Sequence, residues 1–265
     1  MKRIVSVLIT AACATACSSV EGGNLSTTTT TVEKTTTVSI ETKSTGTGDN
    51  KVTYYVAHVV LGNPSDIGSI VKTGYTSELA REAPVMFAIN GDYFTYRNNG
   101  IIIRNGSVVV DEPIRQGMAI TDNGSMVVYE ENSMTVQQLK SLGATNSFSF
   151  GPILVSDSKI PEGVDSYYEV DAGRSINGRH PRTGICMVSL GNFIFIVVDG
   201  RSPGYSRGVT LAEFAEMFRS LGCVNAYNLD GGGSSVMFYE GFLVNNPLGK
   251  GRERTNGDMI FVSPS

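Results

Sequence analysis

The stretch N-A-Y-N-L-D-G-G-G-S-S, residues 225–235, places an acid, three glycines and two serines directly after a short strand-like segment. A glycine triplet lets a ligand approach the main chain closely, and its backbone N–H groups can form a nest for an anion. Asp230 stands at the edge of this loop as a carboxylate that can handle a proton. The alternative is a glycine-rich hairpin loop with an exposed aspartate. A nucleotide-binding phosphate loop is not indicated, because no Lys follows the glycines.

The segment before this loop predicts a strand–helix–strand unit over residues 193–229. Its first strand ends at Asp199, and residues 210–213 carry the capping-box pattern that begins a helix. Parallel strands joined through a helix end at the same edge of a sheet. We therefore expect Asp199 and Asp230 on one rim, about 5–10 Å apart if the two strands are neighbours. Ligands of open α/β sheets favour such a rim.

The rest of the chain consists of short apolar segments separated by Gly, Asn and Asp turns. Hairpins are predicted at 101–110 and 117–129, and short capped helices at 77–83 and 135–143. The sequence thus predicts an α+β fold. We expect a single domain of mixed, mostly antiparallel sheet with few helices, including the strand–helix–strand unit at 193–229.

The N-terminus has the pattern of an export signal. Two basic residues precede the apolar run 4–12, which is too short to span a bilayer. Ala14-Thr15-Ala16 fits ordinary signal peptidase, whereas Ala16-Cys17 resembles a bacterial lipoprotein cleavage site. The lipoprotein interpretation is favoured because a Thr-rich segment follows, and it predicts lipidation of Cys17.

These patterns divide the chain into three parts. Residues 1–17 are predicted to be a lipoprotein-type signal peptide, 18–35 a disordered Thr/Ser-rich linker, and 36–265 the folded domain. The predicted location is the cell envelope outside the cytoplasm, with membrane contact only through the lipid anchor. A net charge of −4 argues against a nucleic-acid partner, which requires a basic surface.

Histidine and cysteine usage gives no indication of a metal or cofactor. His58 lies in an apolar strand and is expected to be an ordinary half-buried residue, and His180 has no second ligand at zinc spacing. Cys186 and Cys223 are predicted to be two buried free thiols. A disulfide between them is the alternative in an exported protein.

Five motifs in series resemble the phosphodiester glycosidase family, over residues 54–262. They are A-I-N-G-D-Y-F at 88–94, F-G-P-I-L-V at 150–155, R-H-P-R-T-G-I at 179–185, V-V-D-G-R at 197–201 and N-L-D-G-G-G-S-S at 228–235. The resemblance implies hydrolysis of the bond between an anomeric sugar carbon and a phosphodiester, in cell-surface or environmental glycans. The substrate is then a phosphoglycan or another sugar-1-phosphodiester, such as an N-acetylglucosamine-1-phosphodiester.

The resemblance and the chemistry of the loops predict two groups of site residues. The catalytic candidates are Asp230, Asp199, Asp92 and His180. The substrate-binding candidates are Asn90, Arg182, Thr183, Arg201, Asn228, Gly231, Gly232, Gly233, Ser234 and Ser235. An arginine fork and a backbone nest can hold the phosphodiester, and carboxylates can stabilise an oxocarbenium-like transition state.

The roles of the individual residues are predicted with alternatives. Asp230 is placed nearest the anomeric carbon and Asp199 as its proton-transfer or orienting partner, although the two can be exchanged. Arg182 is the main phosphate ligand, and Asn90 and Asn228 bind hydroxyls or fix the acids. The alternative function is a non-catalytic surface lipoprotein that binds an anionic phosphoglycan, which needs no positioned carboxylate pair.

Overall fold

A computed structural model describes residues 34–167 and 176–265. The predicted signal peptide with Cys17 lies outside the described residues, as do 18–33 of the predicted linker. Within the described ranges, no helix is long and apolar enough to cross a membrane.

The described residues form short strands and a few helices. The α-helices are α1 (Thr76–Arg81), α2 (Val136–Ser141) and α3 (Leu211–Ser220). The strands are β1 (Thr37–Thr45), β2 (Val52–Val60), β3 (Ile67–Gly74), β4 (Phe87–Asn90), β5 (Gly100–Arg104), β6 (Ser107–Glu112), β7 (Gln116–Thr121), β8 (Met126–Glu130), β9 (Ala144–Ser149), β10 (Ile153–Val155), β11 (Arg182–Ser189), β12 (Asn192–Val198), β13 (Asn225–Asn228), β14 (Met237–Tyr239), β15 (Phe242–Leu243) and β16 (Asn256–Val262).

The strands form three sheets, and their hydrogen-bonded neighbours are antiparallel. A six-stranded sheet has the order β1-β2-β12-β11-β13-β10. Two five-stranded sheets have the orders β15-β14-β4-β16-β3 and β6-β5-β9-β7-β8. The predicted α+β domain with mostly antiparallel sheet and few helices is confirmed.

The two strands of the predicted strand–helix–strand unit are not neighbours. β12 and β13 each pair antiparallel with β11, which lies between them. Leu190-Gly191 joins β11 to β12 in a tight hairpin, so the α3 crossover places β13 on the far side of β11. Asp199 and Asp230 still leave the same edge of the sheet. Two strand spacings separate their strands by about 10 Å.

Strand β12 is buried on both faces. Phe193, Phe195 and Val197 belong to the core between the sheets, whereas Ile194, Ile196 and Val198 pack on the side covered by α3. A strand covered on both faces reads as a continuous apolar run, as this one does.

Helix α3 begins at the predicted capping box. Glu213 N donates to Thr210 Oγ1 at 3.2 Å, and Thr210 N donates to Glu213 Oε2 at 2.9 Å. Leu211, Phe214 and Phe218 are fully buried against the six-stranded sheet. The capped helix fixes where the chain re-enters the sheet as β13.

The prediction of two free thiols is wrong, because Cys186 and Cys223 form a disulfide. Cys186 lies on β11 opposite Ala226 of β13, and Cys223 lies two residues before the first residue of β13. The return of the chain from α3 brings the two Cα atoms to 5.9 Å, within the range that a disulfide spans. Sequence separation alone did not show that β11 and β13 are adjacent.

Both ends of the described domain meet at one carboxylate. Asp66 Oδ2 accepts hydrogen bonds from Thr36 Oγ1 and from Ser265 Oγ, the latter at 2.7 Å. Thr36 N also donates to Ser265 Oγ at 2.9 Å. The first residues before β1 and the last residue of the chain are thereby held side by side.

Candidate active site

The loops after β4 and β13 are joined at the rim of the fold by hydrogen bonds. Asn90 Nδ2 donates to Asp230 O at 2.7 Å, and Asp230 N donates to Gly91 O at 3.2 Å. Thr183 Oγ1 donates to Asn90 Oδ1 at 2.8 Å. Asn90 is 1% exposed and Thr183 is fully buried, so these two predicted binding residues hold the loops together. The predicted role of Asn90 in fixing an acid agrees with these contacts.

Asp230 presents a partly accessible carboxylate at this rim. Its side chain is 13% exposed, Oδ1 accepts from Gly231 N at 2.8 Å, and Oδ2 lies 3.2 Å from Arg254 Nη2. Burial raises the pKa of Asp230, while Ser234 and Arg254 act to lower it. The carboxylate is therefore partly accessible to a solute, and its pKa lies above that of an ordinary aspartate.

An arginine and an aromatic pair stand next to Asp230. Arg254 Nε donates to Ser234 Oγ at 2.9 Å, and its guanidinium lies 5.9 Å from the centre of the Tyr93 ring. Tyr93 stacks on Tyr96 with ring centres 4.5 Å apart. Arg97 lies over the Tyr93 ring at 5.3 Å. Arginines that stack on aromatic rings are well suited to hold a phosphate.

Tyr93 reaches this position through an unusual backbone conformation. Its φ is +72°, in the left-handed region that side chains other than Gly, Asn and Asp seldom adopt. Such conformations persist where surrounding contacts enforce them, and they cluster at functional sites. Sequence analysis passed over Tyr93 and Arg254, although Tyr93 lies inside the A-I-N-G-D-Y-F motif.

Asp92, predicted to enter the cleft, is buried in an ionic cluster instead. Its side chain has no exposed surface, and Oδ1 lies 3.0 Å from Arg104 Nη2. Its Oδ2 accepts from Ser149 N at 2.8 Å, and Phe94 N donates to Oδ1 at 3.2 Å. This arrangement argues against direct catalysis by Asp92. Its carboxylate fixes the loop that carries Tyr93.

Asp258 is the second carboxylate of this cluster. Its Oδ2 lies 2.9 Å from Arg104 Nη2 and accepts weakly from Asp92 N at 3.3 Å. Burial, followed by the charge of Asp92, raises the pKa of Asp258 well above its usual value. The tripeptide N-G-D occurs both at 90–92 and at 256–258, and that repeat was the available signal for Asp258.

Gly91 is required by the same cluster. A Cβ at this position would lie 2.1 Å from Asp258 Oδ2, far inside contact distance. Met259 pairs with Asn90 across β16 and β4, so the two N-G-D tripeptides lie against each other. The glycine of A-I-N-G-D is thus explained by the close approach of a carboxylate.

Asp199 is also buried, with 3% exposure. Its Oδ2 accepts from Tyr205 Oη at 2.8 Å and from Asn246 N at 3.0 Å, and its Oδ1 accepts from Asn245 Nδ2 at 2.9 Å. Three donors therefore hold this carboxylate, which does not fit the predicted proton-transfer partner of Asp230. Through these contacts Asp199 anchors the start of the loop 245–251, and a Cβ added to Gly233 of the glycine loop would lie 2.8 Å from Leu248 of that loop.

Arg182 faces carbonyl groups of its own protein. It is 3% exposed, Nε donates to Val209 O at 3.2 Å, and Nη2 donates to Ile176 O at 2.8 Å and to Gly178 O at 2.9 Å. Burial lowers its pKa to about 10. This placement argues against the predicted phosphate contact and indicates that Arg182 holds the segment 176–178.

His180 and Arg201 lie together beside the glycine loop. Arg201 Nη2 is 3.2 Å from His180 Nδ1, and His180 Nε2 is 3.0 Å from Asn177 O. Because Nδ1 must accept from the guanidinium, Nε2 carries the proton. Burial, Arg182 and Arg201 lower the pKa of His180, so the ring is neutral at neutral pH. These contacts indicate that His180 positions Arg201, and they argue against the predicted catalytic proton transfer by His180.

Arg201 is the exposed cation among the predicted residues of this loop cluster. It has a φ of +57°, and its guanidinium nitrogens would lie 3.3 Å from a Cβ added to Gly232. The glycine therefore lets the guanidinium rest on the loop that follows Asp230.

Four N–H groups of the predicted anion nest donate within the protein, which argues against a nest formed by the whole loop. Gly231 donates to Asp230 Oδ1, Gly232 to Pro181 O, Ser234 to Gly231 O and Ser235 to Gly232 O. The glycines serve close packing instead, since a Cβ on Gly231 would lie 2.8 Å from Pro181 O and one on Gly233 2.8 Å from Leu248 Cδ2.

The remaining predicted residues lie behind the loop. Asn228 is fully buried, and its Nδ2 donates to Gly151 O at 2.7 Å. Ser234 and Ser235 are 1% and 2% exposed, and Ser234 Oγ is held by Arg254. In residues 34–167 and 176–265 no cluster of three His, Cys, Asp or Glu side chains could hold a metal ion.

The model of the phosphodiester glycosidase family matches residues 83–263. The chain belongs to this family. The match covers β4 through β16, and it therefore includes the Asp230 rim and the Arg104 cluster.

Two curated relatives of the family domain match parts of the chain. An SPbeta prophage-derived protein of Bacillus subtilis, YomE, is 41% identical over 142 residues, which is 54% of this chain and 21% of the relative. The human N-acetylglucosamine-1-phosphodiester alpha-N-acetylglucosaminidase is 27% identical over 184 residues, covering 64% of this chain and 35% of the relative. The chain thus spans a fifth to a third of the length of these relatives.

The solved structure of the zebrafish N-acetylglucosamine-1-phosphodiester alpha-N-acetylglucosaminidase catalytic domain, auto-inhibited by its pro-peptide, shares the fold. It superposes with a TM-score of 0.71 at 19% identity, covering 86% of this chain and 83% of that one. At this identity the likeness establishes the architecture of the phosphodiester glycosidase domain.

Proposed function

We propose that this phosphodiester glycosidase family member hydrolyses the bond between an anomeric sugar carbon and a phosphodiester oxygen. Family membership supports a hydrolase of this class. The observation that carries the proposal is the Asp230 carboxylate, partly exposed at the rim and held between Gly231 N and Arg254. An N-acetylglucosamine-1-phosphodiester is the proposed substrate type, by analogy with the human relative.

In the proposed reaction, the bond between the anomeric carbon and the phosphate oxygen breaks, and the phosphate leaves with the bonding electron pair. Water supplies a hydroxyl to the anomeric carbon and a proton to the medium. Asp230 stabilises the positive charge that develops on the sugar or activates the water. The phosphate is already a good leaving group, so the site needs no strong acid on the opposite side.

Arg254 and Arg201 are the proposed phosphate ligands in place of Arg182. Arg254 is 44% exposed and lies 3.2 Å from Asp230, and Arg201 is exposed on the other side of the same loop. The two guanidinium groups flank the loop that follows Asp230 and provide positive charge for the phosphodiester. The Asp230 carboxylate then lies next to the anomeric carbon of the sugar.

The variant Asp230→Asn tests the catalytic role. It keeps the side-chain shape and removes the charge, so kcat for a methyl ester of N-acetylglucosamine-1-phosphate should fall about 10²–10⁴-fold, as for loss of an acid–base group. Release of reducing sugar measures the rate, and circular dichroism checks the fold. The exposed Asp111→Asn on β6 is the matched control and should keep the parent rate.

Two outcomes would reject this assignment. If Asp230→Asn retains activity within a few-fold of the parent, another group does the chemistry. If the parent itself binds the methyl ester without releasing sugar, the non-catalytic glycan-binding alternative takes first place.

The variant Arg254→Gln tests whether Arg254 controls the protonation of Asp230. Arg254 lowers the pKa of Asp230, so its removal should move the acid limb of the kcat/KM profile to higher pH. Arg252→Gln, on the same exposed segment, should leave the limb in place. An unchanged limb in Arg254→Gln would show that Asp230 is not the group that titrates.

We also propose that the protein is exported and tethered to the cell envelope through Cys17. Support comes from the signal-like N-terminus and from the disulfide, because disulfides persist mainly in oxidising compartments. Cys17→Ala should release the protein from the membrane fraction into the soluble extracytoplasmic fraction. An unchanged distribution would refute the lipid anchor.

A further inference from the structure

A cavity of about 350 Å³ lies at the junction of the two five-stranded sheets. Turns from both sheets converge on it: the segment 63–68 before and within β3, the β5–β6 turn at 105–106, the β7–β8 turn at Asp122, and β9 at 145–146. Its volume falls within the range of small-molecule sites.

The cavity is separate from the Asp230 rim. Phe261 of β16 lines the cavity, whereas Asp258, three residues earlier on the same strand, belongs to the Arg104 cluster beneath that rim. Three residues of a strand span about 10 Å, and the cavity lies at the other end of β16. A ligand held here would not occupy the proposed catalytic site.

An aromatic ring forms one wall of the cavity. The partly exposed Phe261 lies across β3 at Gly68, where a Cβ would be 2.6 Å from its Cζ atom. The two residues are also paired in register between β16 and β3. Glycine at position 68 therefore lets the ring lie directly against the backbone, with part of the ring accessible from the cavity.

Amide and carboxylate groups form the opposite side. Asn146 is 2% exposed, and its Oδ1 accepts from Ser69 Oγ at 2.6 Å and from Asn105 N at 3.1 Å. These bonds fix its Nδ2, whose partner among residues 34–167 and 176–265 is Thr145 Oγ1 at a long 3.4 Å. The exposed carboxylate of Asp122 receives no hydrogen bond from residues 34–167 and 176–265.

The chemistry of this lining selects against an anion. Among the described residues that line the cavity there is no Lys or Arg, and the neighbouring Lys140 Nζ donates to Gly106 O at 3.3 Å, so a phosphate in the cavity would meet the Asp122 carboxylate in the lining itself. A carboxylate and side-chain amides instead match hydroxyl groups, which donate and accept. A partly exposed ring beside them offers an apolar surface to a ligand with one apolar face. We propose that this cavity is a second binding site, which takes an uncharged saccharide.

Saturation-transfer NMR on the whole protein tests this proposal. The probes are N-acetylglucosamine, chitobiose, maltose and cellobiose, each measured alone at millimolar concentration. We expect transfer to at least one of them. Asp122→Ala should weaken its binding about tenfold, since a hydrogen bond to a charged group is lost.

Three further variants separate this cavity from other surfaces. Asp230→Asn should keep the saturation transfer, because the catalytic rim is not involved, and Asp111→Ala controls for the loss of an exposed carboxylate elsewhere. Phe261→Ala should abolish transfer if circular dichroism shows it folded. If Phe261→Ala does not fold, Asp122→Ala alone tests the site.

Three results would overturn the second site. One is the absence of transfer to every probe with the folded parent. Another is binding that Asp122→Ala leaves unchanged. The third is binding that disappears in Asp230→Asn, which would place the saccharide at the catalytic rim instead.

Discussion

Replacing Arg104 by Met should destabilise the protein through the two carboxylates that it leaves behind. The guanidinium is 5% exposed and lies 3.0 Å from Asp92 and 2.9 Å from Asp258. Met has a similar length and fills the space over the Phe148 ring, which lies 4.2 Å from the guanidinium. The main change is therefore electrostatic. Removing one partner of a buried ionic cluster costs about 3–5 kcal/mol of unfolding free energy.

The pH dependence of this loss identifies its cause. The pKa of Asp258 in the folded protein lies well above its usual value. Between those two values the folded state holds a proton that the unfolded state has released, so stability falls as the pH rises. Without Arg104 the pKa of Asp258 should rise further. The loss of stability in Arg104→Met should therefore be larger at the pH where Asp258 of the parent has released its proton than at pH 5.

Urea denaturation followed by circular dichroism measures the free energy of unfolding at both pH values. Arg219→Met is the matched control, because this exposed arginine pairs with Glu216 on the surface of α3. Its midpoint should stay close to that of the parent. A loss below about 1 kcal/mol in Arg104→Met, or a loss that stays equal between these two pH values, would contradict the reasoning about a buried charge cluster.

Three further outcomes follow from particular contacts. Thiol labelling in non-reducing denaturant should find neither Cys186 nor Cys223 free. Reduction should cost about 4 kcal/mol for a loop of 37 residues, so full labelling before reduction would contradict the disulfide. Gly91→Ala should lose about 3 kcal/mol or fail to fold, since its Cβ would meet Asp258 Oδ2 at 2.1 Å, and an unchanged denaturation midpoint would exclude that clash. Tyr205→Phe removes the donor 2.8 Å from Asp199 and should cost about 1.5 kcal/mol in urea denaturation, whereas Tyr75→Phe, at an exposed position, should be neutral.

Local patterns predicted the elements of this fold well. The capping boxes of α2 and α3 form at Thr135 and Thr210, and the Asn105-Gly106 turn joins β5 to β6 with both residues at positive φ. These features depend on neighbours within a few residues, so the sequence carries their cause directly. The common edge of Asp199 and Asp230 was also correct, because it depends only on strand direction.

Side-chain surroundings were predicted less well because they depend on distant segments. Asp92 and Asp199 were placed at strand ends correctly, but the partners that bury them, Asp258 and Asn245, come 166 and 46 residues later. A strand-end position says where the Cα lies and not what covers the side chain. The same limit applies to Arg182, whose carbonyl partners come from loops whose paths no short motif defines.

Arg254 shows what a different pattern could have revealed. It lies four residues before Asp258, next to the second N-G-D tripeptide, and it contacts Asp230 only because β16 pairs with β4. Recognition that the two tripeptides pair would have placed Arg254 near the site. The family motifs cluster at the Asp230 rim but gave no indication of which acid at that rim is accessible.

The hydrogen bonds among Thr36, Asp66 and Ser265 place the two ends of the described domain next to each other. A segment that enters and one that leaves run side by side, so this domain can be inserted within a longer polypeptide without separating the sequences around it. Closely spaced ends also favour circular permutation, with new ends at an exposed turn such as Asn105-Gly106. A permuted chain of this kind would keep the Asp230 rim intact, since a break at Asn105-Gly106 lies outside the loops after β4 and β13 that form the rim.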